Sequence, residues 1–200
     1  MSTRTEPTID GRRARRERGR LAVTEAMIDL VLEGRIPPTS EQVAERAGVS
    51  AASLFRYFDT LDDLRRATTR LYFDRYADLF EIPDIGHGPL GARIDRLVSA
   101  RVVLYEKIEP MARLARWRAT EVGEVDETLH QVRATRADQI RHHFDPELGQ
   151  LTSAVAADTS MIIATLTSFE SWDQARYDHE RSPAQVRRAW TSALSKVLER

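Results

Sequence analysis

The sequence predicts an all-α protein. Apolar residues recur at spacings of two to four along most of the chain, and no stretch alternates as a half-buried strand does. Helix-stop and helix-start chemistry falls between those segments: Gly34, Thr39, Gly48, Ser50 and the pair Ser182-Pro183. With 42% apolar residues over 200 positions, the chain can bury a substantial core.

Each element follows from local chemistry. Residues 1–15 are polar, arginine-rich and unpatterned, and are expected to form a mobile arm. A helical period starts near Arg16, with Leu21, Val23, Met27, Leu30 and Val31 on its inner face. Gly34 stops that helix, and Pro37-Pro38 prevent its continuation. Thr39 with Gln42 three residues later makes a capping box for a helix over about 40–47. Gly48 breaks it, and Ser50 caps a third helix over about 51–58. Asp59 or Thr60 caps a fourth, from Leu61 to about Phe80.

The run Ile82-Pro83-Asp84-Ile85-Gly86-His87-Gly88-Pro89 is the most loop-like stretch and a candidate domain seam. Beyond it the pattern predicts helices over 90–107, from Pro110 through Trp117, over 124–144, over about 150–177, and from Pro183 to the C-terminus.

Composition narrows the function classes. There is no cysteine, which excludes disulfides and thiolate metal sites. No apolar run approaches a membrane span, and the first twenty residues carry no secretory-type apolar stretch. A cytoplasmic protein without a membrane partner is expected. Net charge is −1, yet residues 1–20 hold seven arginines against Glu6, Asp10 and Glu17. A basic end on a mildly acidic body suits contact with phosphate, and a solvated tail has the same composition.

The window Thr39 to Phe58 carries the function. Ala44 lets a second helix cross closely over the first, and Gly48 supplies the turn. Val43, Ala47, Val49 and Leu54 fall where inward residues must lock two helices, while Glu41, Glu45 and Arg46 stay outside. Ser50, Ala51, Ala52 and Ser53 open the second helix, the end that enters a major groove. This is a helix-turn-helix. Its predicted DNA contacts are Arg18, Arg20, Thr39, Ser40, Ser50, Ala51, Ala52, Ser53, Phe55, Arg56 and Tyr57. Arg56 suits either a guanine edge or, preferably, a phosphate.

At these residues the chain resembles the TetR family of transcription regulators. The resemblance rests on Val43-Ala44, Ala47-Gly48-Val49-Ser50 and Leu54-Phe55-Arg56-Tyr57-Phe58, followed by Asp59 and Leu64. It covers about residues 16–66; the remainder is similar only in architecture. It implies a helical dimer whose N-terminal domains read a palindromic DNA operator and whose C-terminal domain binds a small apolar or aromatic effector that lowers DNA affinity. The expected domains are the arm (1–15), a three-helix DNA-binding domain (16–60) and a ligand-binding and dimerisation domain (61–200). Three departures stand out. Phe55 lacks the hydroxyl of the tyrosine common there, Tyr57 stands where the family often has His or Tyr and keeps a hydroxyl, and Leu61 replaces a phosphate-holding lysine. The arginine-rich arm is expected to make up part of that phosphate binding.

For the effector, the expected lining is Tyr105, Met111, Leu114, Trp117, Ile140, Phe144, Met161, Thr165, Phe169 and Trp172, with Trp117 the leading candidate. Taken singly, each of these residues suits core packing better than a cavity. His142, His143 and Asp138 suggest a metal, but adjacent histidines on a helix diverge by about 100°, so no metal or other cofactor is expected. No nucleophile turn or phosphate-cradling glycine loop appears, and the chain is not expected to be an enzyme. Homodimerisation is assigned to the last two helical segments through Val155, Met161, Ile162, Ala164, Leu166, Val186, Trp190, Ala193, Leu194 and Val197. Two other readings stay open. One is a regulator with a protein effector or none; the other is a helical enzyme or carrier with a basic tail.

Overall fold

The computed structural model describes residues 9–199. Its helices are α1 (Ile9–Leu32), α2 (Ser40–Arg46), α3 (Ala51–Tyr57), α4 (Leu61–Arg75), α5 (Leu90–Ala119), α6 (Gly123–His143), α7 (Asp145–Leu148), α8 (Ser153–Leu166), α9 (Phe169–Tyr177) and α10 (Pro183–Leu198). A 3₁₀ turn spans Ala77–Phe80, and no strand occurs among the described residues. The all-α expectation therefore holds.

The chain divides into two compact units between Ala77 and Asp78. The boundary drawn from sequence at residue 60 lies too early, because α4 belongs to the first unit. Leu64, Thr68 and Tyr72 bury one face of α4, and Thr68 Oγ1 reaches Met27 of α1 at 3.4 Å. The loop over 82–89 is not the seam either. It lies inside the second unit and is hydrogen-bonded to α5 and α6.

In the first unit, Val23, Ala26, Met27 and Leu30 of α1 pack with Val43 and Ala44 of α2, Leu54 of α3, Phe58 and Leu64. Leu21, expected on this inner face, is 46% exposed. It precedes Val23 by two positions, which turns it about 200° round the helix. The helix also starts earlier than its apolar period: Ile9 to Arg15 are helical, not an irregular arm. Residues 1–8 of the expected arm lie outside the described residues.

In the second unit, α5 runs through the centre, with α6 and α10 along it. Leu97, Val98, Val102, Leu104 and Tyr105 of α5, Ile140 of α6, Ile163 of α8, Phe169 and Trp172 of α9, and Val186, Trp190 and Leu194 of α10 form the core. Two sequence expectations change here. Pro110 does not end α5, which continues for 30 residues. An interior proline costs about 3 kcal/mol, but Tyr105, Ile108, Ala112 and Leu114 are buried on either side of it. Burial of Ile108 and Leu114 alone returns about 1.5–3 kcal/mol each, so continuity wins. Conversely, the segment 150–177 is two helices, because the Ser168 hydroxyl accepts from the Ser171 N–H at 3.1 Å and starts α9.

The loop after the 3₁₀ turn is anchored by a buried cluster. The Arg93 guanidinium donates to the Gly88 carbonyl at 3.0 Å, the His143 carbonyl at 2.7 Å and both Glu147 carboxylate oxygens. His143 is fully buried. Its Nδ1 accepts from the Gly86 N–H at 3.0 Å, and its Nε2–H donates to the Arg93 carbonyl at 2.8 Å. Both ring nitrogens are thereby committed, whereas His142 is exposed. Among the described residues no cluster of His, Asp or Glu forms a metal site. No described helix is long and apolar enough to cross a membrane.

Candidate nucleic-acid interface

Local chemistry sets the two helices of the motif. The Thr39 hydroxyl accepts from the Gln42 N–H at 3.3 Å, and Gln42 Oε1 accepts from the Thr39 N–H at 2.9 Å. This is the capping box read from the sequence, and such caps contribute about 1 kcal/mol. Ala44 is buried against the neighbouring helices. Gly48 has φ +66°, which only glycine adopts freely, and Val49 N–H closes the turn onto the Ala44 carbonyl at 3.0 Å. Ser50 then caps α3, its Oγ accepting from the Ser53 N–H at 3.2 Å.

Leu54 is the fully buried anchor of α3. The opposite side of the helix presents Ala51, Ala52, Phe55 and Arg56, all exposed. Those positions share one helical face. Phe55 is 47% exposed, an apolar ring on the surface that a buried helix would have tucked in. Arg56 lies back along the helix: its Nη2 donates to Ser53 Oγ at 3.1 Å, and Ser50 Oγ donates to the same atom at 3.1 Å. A chain of three side chains, running from the cap to Arg56, thus lines one edge of the face. Ser40 opens α2 half-buried, beside the exposed Thr39.

The C-terminal end of α3 is fixed by α1. Tyr57 is half-buried, and its ring occupies the space where a Cβ at Gly19 would stand. Arg20 donates to the Tyr57 carbonyl and lays its guanidinium 4.3 Å from the centre of the Phe58 ring. Arg20, expected at DNA, is thus half-buried and also holds the end of α3. Arg18 remains exposed, as do Arg12, Arg13, Arg15 and Arg16 on the first turns of α1. Arg12 and Arg16 extend, at steps of four, the stripe that carries Arg20.

Sequence reasoning missed Gly19 altogether; a glycine within a helical pattern was the available signal. It also missed the tie between α1 and α2, where Arg46 donates to both Glu33 carboxylate oxygens at 2.8 and 2.7 Å. That pairing holds the Glu33 carboxyl below its ordinary range.

The expected effector lining is only partly brought together. Tyr105, Phe169 and Trp172 form one aromatic cluster with Trp190: Tyr105 lies 5.6 Å from Phe169, 6.0 Å from Trp172 and 6.3 Å from Trp190, between ring centres. Leu114 and Ile140 are buried, and Met111 is half-buried. Phe144 is buried beside His143 and under the Arg93 guanidinium, which lies 5.7 Å from its ring centre. Trp117, Met161 and Thr165 are exposed and do not join the cluster. Trp117 is 48% exposed. It does not end a separate short helix; it lies on the outer side of a continuous α5.

Of the apolar residues assigned to dimerisation, those of α10 are mostly used within the chain: Val186, Trp190 and Leu194 are buried, while Ala193 and Val197 are half-buried. Ala164 and Leu166 of α8 are half-buried as well. Val155, Met161 and Ile162 remain exposed, at spacings of six and seven along α8.

Residues 38–68 match the family model of bacterial regulatory proteins of the tetR family. That segment runs from the cap of α2 into α4, the motif whose geometry is described above. No curated protein matches the chain significantly. Among solved structures, the chain is similar to a tetR-family transcriptional regulator from Streptomyces coelicolor, with a TM-score of 0.70 at 19% identity over 90% of this chain and 80% of that one. It is also similar to a TetR transcription regulator from Haloarcula marismortui ATCC 43049, with a TM-score of 0.64 at 18% identity, covering 92% of this chain and 97% of the other. A transcriptional regulator from Rhodococcus sp. Rha1 gives 0.65 at 18% identity, with 92% and 96% covered. The chain has the fold of these regulators.

Proposed function

We infer that this chain is a DNA-binding transcription regulator of the tetR family that works as a repressor, binding a palindromic operator as a homodimer and leaving it when a small effector binds the C-terminal unit. The observation that carries this reading is the exposed face of α3, held on a helix-turn-helix with both caps and its turn in place. A packing helix of seven residues would not leave Phe55 in solvent between Ala52 and Arg56.

The face implies a mode of readout. Ala51, Ala52 and Phe55 offer apolar contact to thymine methyl groups in the major groove. Arg56, tethered toward Ser53, is set to hold a phosphate, and Tyr57 offers a hydroxyl to the backbone beside it. Thr39, Ser40, Ser50, Ser53 and Arg18 add polar contacts around this patch, and the arginines of the first turns of α1 supply sequence-independent attraction. A single half-site gains little affinity, so two copies must pair. The exposed apolar side chains of α8 are the surface for that pairing. No catalytic step is part of this function.

The experiment is selection of bound fragments from genomic DNA with the purified protein, followed by footprinting. The expected result is an inverted repeat with half-sites about one helical turn apart. Retention of no duplex DNA, or a single asymmetric half-site, would defeat the reading.

A further inference from the structure

Between α5 and α6 lie two guanidinium groups, Arg101 buried and Arg136 half-buried, among aromatic and aliphatic side chains. Arg101 is 1% exposed, and its Nη2 donates to the Gln139 amide oxygen at 3.0 Å. Gln139 donates in turn through Nε2 to the Phe80 carbonyl at 2.9 Å and to Glu81 Oε2 at 3.4 Å. Arg136 donates through Nη1 to the Tyr105 hydroxyl at 3.1 Å, and that hydroxyl donates to the Thr167 carbonyl at 2.8 Å. The Arg136 Nε is buried with no hydrogen-bond partner. Arg101 and Tyr105 are four apart on α5, and Arg136 and Gln139 are three apart on α6, so each pair shares a face. The four make one polar seam beside Phe80, Phe169, Trp172 and Trp190.

Packing alone does not account for this seam. A guanidinium taken out of water is costly unless an anion pairs with it. Arg101 is hydrogen-bonded to a neutral amide, and burial draws its pKa down to about 10. A methionine would fill much of the same space at no electrostatic cost. Glu81, the nearby carboxylate, is linked to Arg101 through Gln139 rather than directly.

We propose that the Arg101–Arg136 seam is the recognition site for an effector with an aromatic or aliphatic body and a carboxylate head, the head taking the place of the Gln139 amide on Arg101 and pairing with Arg136. The proposal rests on the effector reading above and names its chemical class. The Gln139 amide oxygen sits where a carboxylate oxygen would, at hydrogen-bond distance from the guanidinium. A carboxylate makes a charge-assisted bond about twice as strong as the neutral one it displaces, and it can also accept from Arg136. An alcohol or amide of the same shape gains no such advantage. Displacing Gln139 from Arg101 also loosens its hold on Phe80 and Glu81, the stretch that continues the chain beyond α4. Acid binding and the conformation of that stretch are therefore coupled.

The test uses the full-length protein with two matched pairs of probes: naphthoate with naphthamide, and dodecanoate with dodecanol, at equal concentrations. Melting temperature and retention of the selected operator fragment are both measured. The expected result is that the acids raise Tm by on the order of 5 °C and weaken operator binding about tenfold, while their neutral partners do neither. Arg101→Met should lose the acid response and melt no lower than the parent without ligand. Arg101→Lys should keep part of that response, since it keeps the charge but not the fork. Equal responses within each pair, no response to either acid, or an Arg101→Met protein that melts well below the parent overturns the assignment. Operator retention without ligand is scored separately. A protein that never retains DNA defeats the regulator reading, whereas one that retains DNA and ignores the acids defeats only the effector class.

Discussion

The ring of Tyr57 lies directly on Gly19: a Cβ at residue 19 would stand 2.6 Å from the hydroxyl oxygen and closer still to Cζ. Glycine inside α1 costs about 1 kcal/mol of helix propensity relative to alanine, and what it permits is this seat for the last residue of α3. Gly19→Ala should therefore leave thermal stability nearly unchanged, because the propensity gain offsets the displaced ring. DNA affinity should fall about tenfold as the hydroxyl moves from its place. Fluorescence anisotropy with a labelled operator, beside a thermal melt, checks both halves. Unchanged affinity would mean that the seat serves packing alone.

The arginines at the start of α1 make a prediction about salt. Arg12 and Arg16 are exposed on the stripe that continues from Arg20. If they meet phosphate, replacing both with alanine lowers the slope of log K against log salt concentration by about 0.9 for each phosphate left unneutralised. Operator and unrelated DNA should weaken alike, since phosphate contacts carry no sequence information. Binding titrations at several salt concentrations measure the slope; an unaltered slope assigns these residues to a solvated helix end.

On α8, Met161 is 61% and Ile162 44% exposed. With Val155 one heptad before Ile162, they form the apolar strip on which two copies are expected to pair. Ile162→Glu places a carboxylate there twice across a two-fold axis, at a cost of roughly 3 kcal/mol or more from lost burial alone. Sedimentation should then report a monomer at micromolar concentration, with operator affinity reduced accordingly. A dimer that survives this substitution pairs through another surface.

His143 makes stability depend on pH. Burial lowers its pKa from the ordinary 6.5, with the Arg96, Arg93 and Arg101 charges acting in the same direction and the hydrogen bond to the Arg93 carbonyl opposing. The unfolded chain therefore takes up a proton before the native one as pH falls, so this contribution is intact above the unfolded pKa and is lost progressively below it, toward the lowered folded value. Urea midpoints should drop between about pH 7.5 and pH 5.5. His143→Gln should be less stable at the higher pH, because the Gly86 N–H loses its acceptor, yet change less across that range. Parallel slopes for the two proteins would place the dependence elsewhere.

The first unit was largely legible because its signals are local. Thr39, Gly48 and Ser50 act on backbone groups within four residues of themselves, and the structure uses them as read; of Asp59 and Thr60 it takes Thr60 as the cap of α4. The apolar period of α1, α2 and α3 likewise marks which face is buried, apart from Leu21. The α3 face that meets solvent follows from the same periodicity.

What the sequence determined by itself, then, was the all-α class, the helix-turn-helix and its caps, since each depends on interactions a few residues long. Tertiary structure decided the rest. It carried α5 through Pro110 because buried neighbours outweigh one missing backbone bond, and it assigned α4 to the first unit through contacts with α1. It tied Arg20 to the end of α3, placed Tyr57 on Gly19, and brought Arg101 to Gln139 across 38 positions of chain. Such pairings depend on helices meeting in space, and a periodicity of three to four residues carries no record of which helix faces which.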